Sequence, residues 1–124
     1  MSQNRSTITL FSSEARTATP DPRQVLNKNN SSVQITIDVT AITATPSVVF
    51  NVEGKDRTSG QWYSLLASAA ITAVGTTTLF LGPGQEATAN VSTPKNVPRD
   101  FRVRPVHADA DSITYSVGAN LVIS

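Results

Sequence analysis

The chain contains no cysteine, which excludes disulfides and thiolate metal sites and fits a reducing compartment. Charge is scarce as well. Asp, Glu, Lys and Arg together make up 15% of the residues, and the net charge is +1. A strongly electrostatic nucleic-acid or membrane partner is therefore not indicated. Leu, Lys and Glu are sparse while Ser and Thr abound, a bias toward strands and turns over helices. No run approaches the ~20 apolar residues of a membrane helix. No 3.6-period segment is long enough to anchor a helical layer. The opening residues MSQNRS lead into no apolar h-region, so the chain is expected to be soluble and not exported by its own N-terminus.

What is present is alternation. At 124 residues the chain suffices for one domain with a core of its own. Val33, Ile35, Ile37 and Val39 fall on one face of a strand, with Gln34, Thr36 and Asp38 on the other. Val48, Phe50 and Val52 repeat the pattern. The residues at 54–60, GKDRTSG, then make a polar turn, and Trp62, Leu65 and Leu66 resume an apolar one, which reads as a β-hairpin. Further strands are expected over 7–15, 67–75, 76–81 and 101–106, and over the stretch in which Ile113, Tyr115, Val117, Ala119 and Leu121 alternate. Pro105 has no N–H, so its end of a strand must lie at a sheet edge or bulge. Residues 1–6 read as a loose polar arm, and 17–32 (TATPDPRQVLNKNNSS) as a loop or extended arm. The expected fold is all-β: a single antiparallel β-sandwich, jelly-roll or Ig-like. It has about seven or eight short strands with turn signals between them. The body is 32–124, and 1–31 is an N-terminal strand plus polar arm of the same domain.

Chemistry is thinly marked. His107 is the sole histidine, and no G-x-S-x-G elbow marks any serine as a nucleophile, so an exposed turn histidine is the expected reading. Asp109 and Asp111 form a D-x-D, but the glycine and closing glutamate of a calcium loop are missing. Asx residues capping turn backbone explain the pair. Arg99, Arg102 and Arg104, with Trp62, Tyr63 and Phe101, bring single-stranded nucleic acid to mind, yet the chain is nearly neutral. The arginines are expected to pair with acids or line a protein interface. Trp62 and Tyr63 are adjacent and face opposite ways in a strand, one toward the core and the other exposed. No enzyme, cofactor, metal, nucleic-acid or membrane role is expected.

A set of turns and strand ends carries a resemblance. IDVTA at 37–41, TPSV at 45–48, VEGKD at 52–56, SGQWY at 59–63 and LLASAAI at 65–71 are similar to small structural proteins of tailed-phage virions. LGPG at 81–84, VPR at 97–99, FRV at 101–103 and HADADSITYSVGA at 107–119 continue it. The resemblance covers most of the chain from Ile37 onward and, more weakly, ARTA at 15–18. Gly82 and Asp100 depart from the pattern. The resemblance implies a non-enzymatic virion component, first a capsid decoration (head accessory) protein on the outer surface of the major capsid lattice. Its implied partners are the major capsid protein and itself, as a homotrimer, with assembly in the host cytoplasm. The alternatives are a neck or tail accessory protein and a carbohydrate-binding host-attachment module stacking sugars on Trp62 or Tyr63. The candidate interface residues are Arg5, Arg16, Arg23, Val25 and Leu26 of the arm and loop, Lys55 and Arg57 of the hairpin tip, and Trp62 and Tyr63.

Overall fold

Period-2 burial builds two sheets. In the computed structural model, which describes residues 5–26 and 32–122, nine strands form among the described residues. They are β1 (Arg5–Arg16), β2 (Arg23–Leu26), β3 (Ser32–Ile42), β4 (Val48–Lys55), β5 (Trp62–Ala67), β6 (Gly75–Leu81), β7 (Ser92–Thr93), β8 (Asp100–His107) and β9 (Ile113–Val122). A five-stranded sheet runs β1-β9-β3-β6-β7 and a four-stranded sheet runs β2-β8-β4-β5. Every pairing is antiparallel except β6 with β7. The fold is a β-sandwich.

The core lies where the apolar rows of the two sheets meet. Ile35, Ile37, Val117 and Leu79 on one sheet and Phe50, Val52, Phe101 and Val103 on the other are all fully buried. Tyr115 joins the layers. Its ring meets Phe50 edge-on at 5.0 Å and 87°, and Phe11 at 6.5 Å and 69°. Edge-to-face pairs of this kind add about 0.5–1.5 kcal/mol beyond the area they bury.

Bulges explain the places where apolar residues are adjacent instead of alternating. Val52 pairs Leu66 and Glu53 pairs Ser64, so Leu65 is the extra residue and both leucines turn inward. The step from Thr9↔Gly118 to Phe11↔Val117 makes Leu10 extra in the same way, and Leu10 and Phe11 are both buried.

The strand expectations need four corrections. Residues 5 and 6 are not a loose arm but the start of β1, paired with Val122 and Leu121, while 1–4 lie outside the described residues. The loop read over 17–32 contains β2, because Val25 finds Phe101 across β8 and is itself buried, and Ser32 already belongs to β3; residues 27–31 lie outside the described residues. The strand read over 67–75 stops at Ala67. There Ser68 takes over the ladder: its Oγ accepts from Phe50 N at 3.0 Å and its N donates to Phe50 O at 2.9 Å. Beyond it a single bridge, Val48↔Ile71, holds the segment. The long connection after β6 contains the two-residue β7.

Pro105 sits at an edge within a central strand. Phe50, its partner on β4, spends its backbone groups on Ser68, so the pair is not hydrogen-bonded and the proline nitrogen faces the β2 side. β2 has ended by then, at Arg23↔Val103.

Candidate functional site

The outer face of the four-stranded sheet concentrates the charge. Alternation places Asn51, Glu53 and Lys55 of β4 outward, and register sets Glu53 between Ser64 of β5 and Arg102 of β8. Arg102 Nε donates to Glu53 Oε1 at 2.7 Å. Arg104 donates from Nε to Oε1 at 3.2 Å and from Nη2 to Oε2 at 3.0 Å. Glu53 is 8% exposed, and the two guanidiniums saturate its oxygens, as a sheltered charge requires. Burial pushes the Glu53 carboxyl up, but the hydrogen bonds and charges of Arg104 and Arg102 outweigh it and the net direction is down.

Trp62 completes this face. The Arg102 guanidinium lies 4.1 Å from its ring centroid and Lys55 Nζ 5.6 Å, distances at which cation–π attraction operates. Arg102 thus serves Glu53 and Trp62 at once. Neither aromatic of the Trp62–Tyr63 pair is core, contrary to the sequence reading. Trp62 is half-buried under cations, and Tyr63 is 46% exposed beside Gly54. The bulge at Leu65 is the physical reason for Trp62, which it turns outward beside Lys55, whereas Tyr63 stays on the inward row at the strand's end, opposite Gly54, which has no side chain to cover it.

The hairpin tip is structured by its own residues. Asp56 Oδ1 accepts from Thr58 N at 3.2 Å and Oδ2 from Ser59 Oγ at 2.7 Å. Asp56 O accepts from Gly60 N at 2.7 Å. Gly60 has φ 78, a conformation glycine adopts without strain. The Ser59 hydroxyl and Thr58 N–H hold the Asp56 carboxyl below its ordinary range. Arg57 reaches from the tip to Asp100 on β8, Nε to Oδ2 at 2.7 Å.

A second cluster lies at the end of β1. Arg16 turns inward over the Tyr115 ring, 4.5 Å from its centroid, and donates to the carbonyls of Ser12, Glu14 and Tyr115. It satisfies backbone at a second irregularity of β1, between Phe11 and Glu14, which is a structural duty. Arg23 lies 5.9 Å from the Phe11 ring centroid, across an open cleft of about 390 Å³ lined also by Pro20, Asp21 and Pro22. His107 is not the exposed turn residue expected. It ends β8, half-buried, with Nε2 3.0 Å from Tyr115 Oη. Burial, then the neighbouring Arg16, lowers its pKa, with Asp109 opposing. Tyr115 is pushed up to about 12, chiefly by burial, and keeps its proton.

The predicted interface residues therefore part company. Lys55, Arg57, Trp62 and Leu26 gather on or beside one sheet face, Leu26 being 44% exposed and paired with Asp100. Val25 is core at 5% exposure and Arg16 is an internal brace, so neither presents a side chain outward. Arg23 stands at the separate cleft, and the Arg5 side chain lies outside the described residues. Sequence reasoning missed Glu53 as the hub. The pairing of Arg102 and Arg104 with an acid was legible, but which acid depended on the register of β4 against β8. The D-x-D behaves as an Asx turn: Asp109 Oδ1 accepts from Asp111 N, and Asp111 Oδ2 accepts from Thr45 N. No group of three or more metal-ligating side chains occurs among the described residues.

No family model matches the chain, and no curated protein matches it in sequence. Solved structures do match in shape. The crystal structure of the SPBc2 prophage-derived protein YomS superimposes with a TM-score of 0.59 at 10% identity, over 98% of this chain and 96% of that one. A chain in the structure of infectious bursal disease virus, Gx strain, gives 0.56 at 9% identity, over all of this chain (100%) and 34% of that one. At such identities the likeness is one of fold.

Proposed function

We propose that this protein is a non-enzymatic structural component of a virus particle, and specifically a phage capsid decoration protein. It would bind the outer surface of the major capsid lattice and stabilise the head. The observation that carries this reading is the end-to-end fold match with a prophage-derived protein, spanning nearly the whole of both chains. A match to part of an infectious bursal disease virus chain supports the viral setting. The sequence motifs resembling small tailed-phage virion proteins supply the finer step to decoration.

The surface suits that task. The tip at 55–60 and the Trp62 face are ordered by internal ion pairs and hydrogen bonds. A preordered face loses little side-chain entropy on contact, and many weak copies on a lattice gain through avidity. Sugar stacking on Trp62 has less support, because Arg102 already lies against that ring.

The test is binding to particles. Purified protein should co-sediment with mature capsids at physiological salt and raise their disruption temperature. Failure to bind capsids, with the protein folded, sinks the decoration reading. Binding in a few copies per particle, localised at the vertex where the tail joins, would replace it with the neck or tail accessory alternative.

A further inference from the structure

Sandwich proteins ordinarily guard the outer edges of their sheets, since unpaired backbone groups invite another strand. The four-stranded sheet does so here. β2 is only four residues long and follows Pro20 and Pro22. β5 is bulged at Leu65, and Asn90 Nδ2 donates to the carbonyl of Ala67 at its end. The five-stranded sheet is less guarded, because the irregularities of β1 begin only after Thr9 and leave Arg5 to Thr9 a regular outer edge. Among the described residues β1 has no partner on its outer side, and β7 covers only Phe80 and Leu81 of β6. Asn90, at φ 64, lies in the Thr88–Ser92 turn that carries the chain off the β6 edge. The result is a notch beside the first half of β6, an open groove of about 550 Å³ lined by Gly75, Thr76 and Thr77, walled by 69–73 and rimmed by Val74 and Val91, which are 59% and 42% exposed.

The hydrogen-bond phase of the sheet shows what fits there. Phe80 N donates outward to Val91 O, so by alternation Thr78 and Thr76 also aim their N–H and C=O groups outward, Thr76 into the notch and Thr78 just beyond its lining. Thr78 and Thr36 are then a non-hydrogen-bonded pair, which makes Thr36 and Gly118 a hydrogen-bonded one and Gly118 and Thr9 again non-bonded. Thr9 therefore aims its backbone groups away from the sheet, and so does Thr7, since the register is regular from Arg5 to Thr9. The two open edges of one sheet thus offer matching donors and acceptors. Their directions match too. β1, β9, β3 and β6 alternate antiparallel, so a second copy in the same orientation brings its β1 antiparallel to β6.

We propose that the chain self-associates head to tail, with β1 of one copy filling the β6 notch of the next. Thr7 pairs Thr78, and Thr9 pairs Thr76. This register keeps both threonine rows on the outer face and sets Ile8, which packs against the core, opposite Thr77 on the inner one. Neither run, 6–13 nor 75–81, carries a charge or a proline to oppose the contact. A heterologous contact of this kind closes into a ring or propagates as a filament. It stands on the strand edges alone and requires no virion.

The absence of cysteine makes the test clean. Thr7→Cys protein mixed with Thr78→Cys protein should cross-link through a short bis-maleimide, as should Thr9→Cys with Thr76→Cys. Each variant alone should give several-fold less product. Light scattering of the unmodified protein should show a mass that rises with concentration. Thr78→Pro deletes an N–H that the β3 ladder does not use, so it should lower the assembled fraction while leaving the circular dichroism spectrum unchanged. A monomer at every concentration overturns the proposal. So does cross-linking of Thr7→Cys alone at the level of the mixture, which would mean that β1 pairs with β1.

Discussion

The two outer faces occupy equivalent places in the sandwich and are chemically opposite. On the five-stranded sheet the outward rows run Thr9, Gly118, Thr36, Thr78 and Thr7, Asn120, Gln34, Phe80, none of them charged. On the four-stranded sheet they hold Glu53, Arg102, Arg104, Lys55 and Trp62, wired into one network. The first face is held by its backbone ladders and by β-branched residues that suit a pleated surface. The second holds a sheltered carboxylate whose stability depends on its neighbours. A partner meeting the first face finds hydroxyls free to bond. A partner meeting the second must work around charges already matched to one another.

Removing the hub should have the largest effect. Glu53→Ala strands two arginines, one largely covered, and should cost about 2–4 kcal/mol in denaturant melts. Thr36→Ala, on a central strand of the other face, should stay within about 0.5 kcal/mol. Equal losses would dissolve the contrast.

Next is Trp62→Ala, which removes the surface on which Arg102 and Lys55 rest. It should cost about 1–2 kcal/mol and loosen Arg102 without unfolding the hairpin. Comparison of Trp62→Ala and Glu53→Ala with the double variant should show coupling, since Arg102 touches both.

Acid separates the network from the rest of the molecule by pH. The folded pKa of Glu53 is lowered, so its contribution is complete above the unfolded value of 4.5 and is lost as pH falls through the folded one. His107 also has a lowered pKa, and its contribution fades earlier, as pH drops below 6.5 and protonation sets a second cation beside Arg16. A stability–pH curve should therefore decline in two stages. Glu53→Gln should flatten the lower stage and His107→Gln the upper. A single unaltered decline in both variants contradicts the assignment.

The smallest effect is expected at the tip. The Arg57–Asp100 pair joins an exposed guanidinium to the sheet, and Arg57→Ala should shift the denaturation midpoint least of these variants, with the difference shrinking as salt rises.

This contrast also marks what the sequence could tell. Alternation from Val33 to Val39 and from Ile113 to Leu121 was readable because local period alone sets it. β2 was not, since RQVL becomes a strand only when Val25 meets Phe101, seventy-odd positions along the chain. The adjacent pairs Leu65–Leu66 and Leu10–Phe11 were signs of bulges that a strict period-2 reading passes over. Residues of the network were visible one by one, yet their union around Glu53 depends on cross-strand register. Arg16 looked like a surface cation because nothing in its neighbours announces the carbonyls it braces.

Gly54 has a mechanical meaning. A Cβ there would stand 2.6 Å from Pro98 Cγ and 2.9 Å from Tyr63 Cζ, so the strand, the ring and the proline close on one another with no room to spare. The projecting turn is accordingly clamped at its root, much as a key's blade is fixed in its bow. Whatever seats against residues 55–60 is gauged by a spacer of set length and angle, and a bulkier residue at 54 would change that gauge before it changed any group at the point of contact.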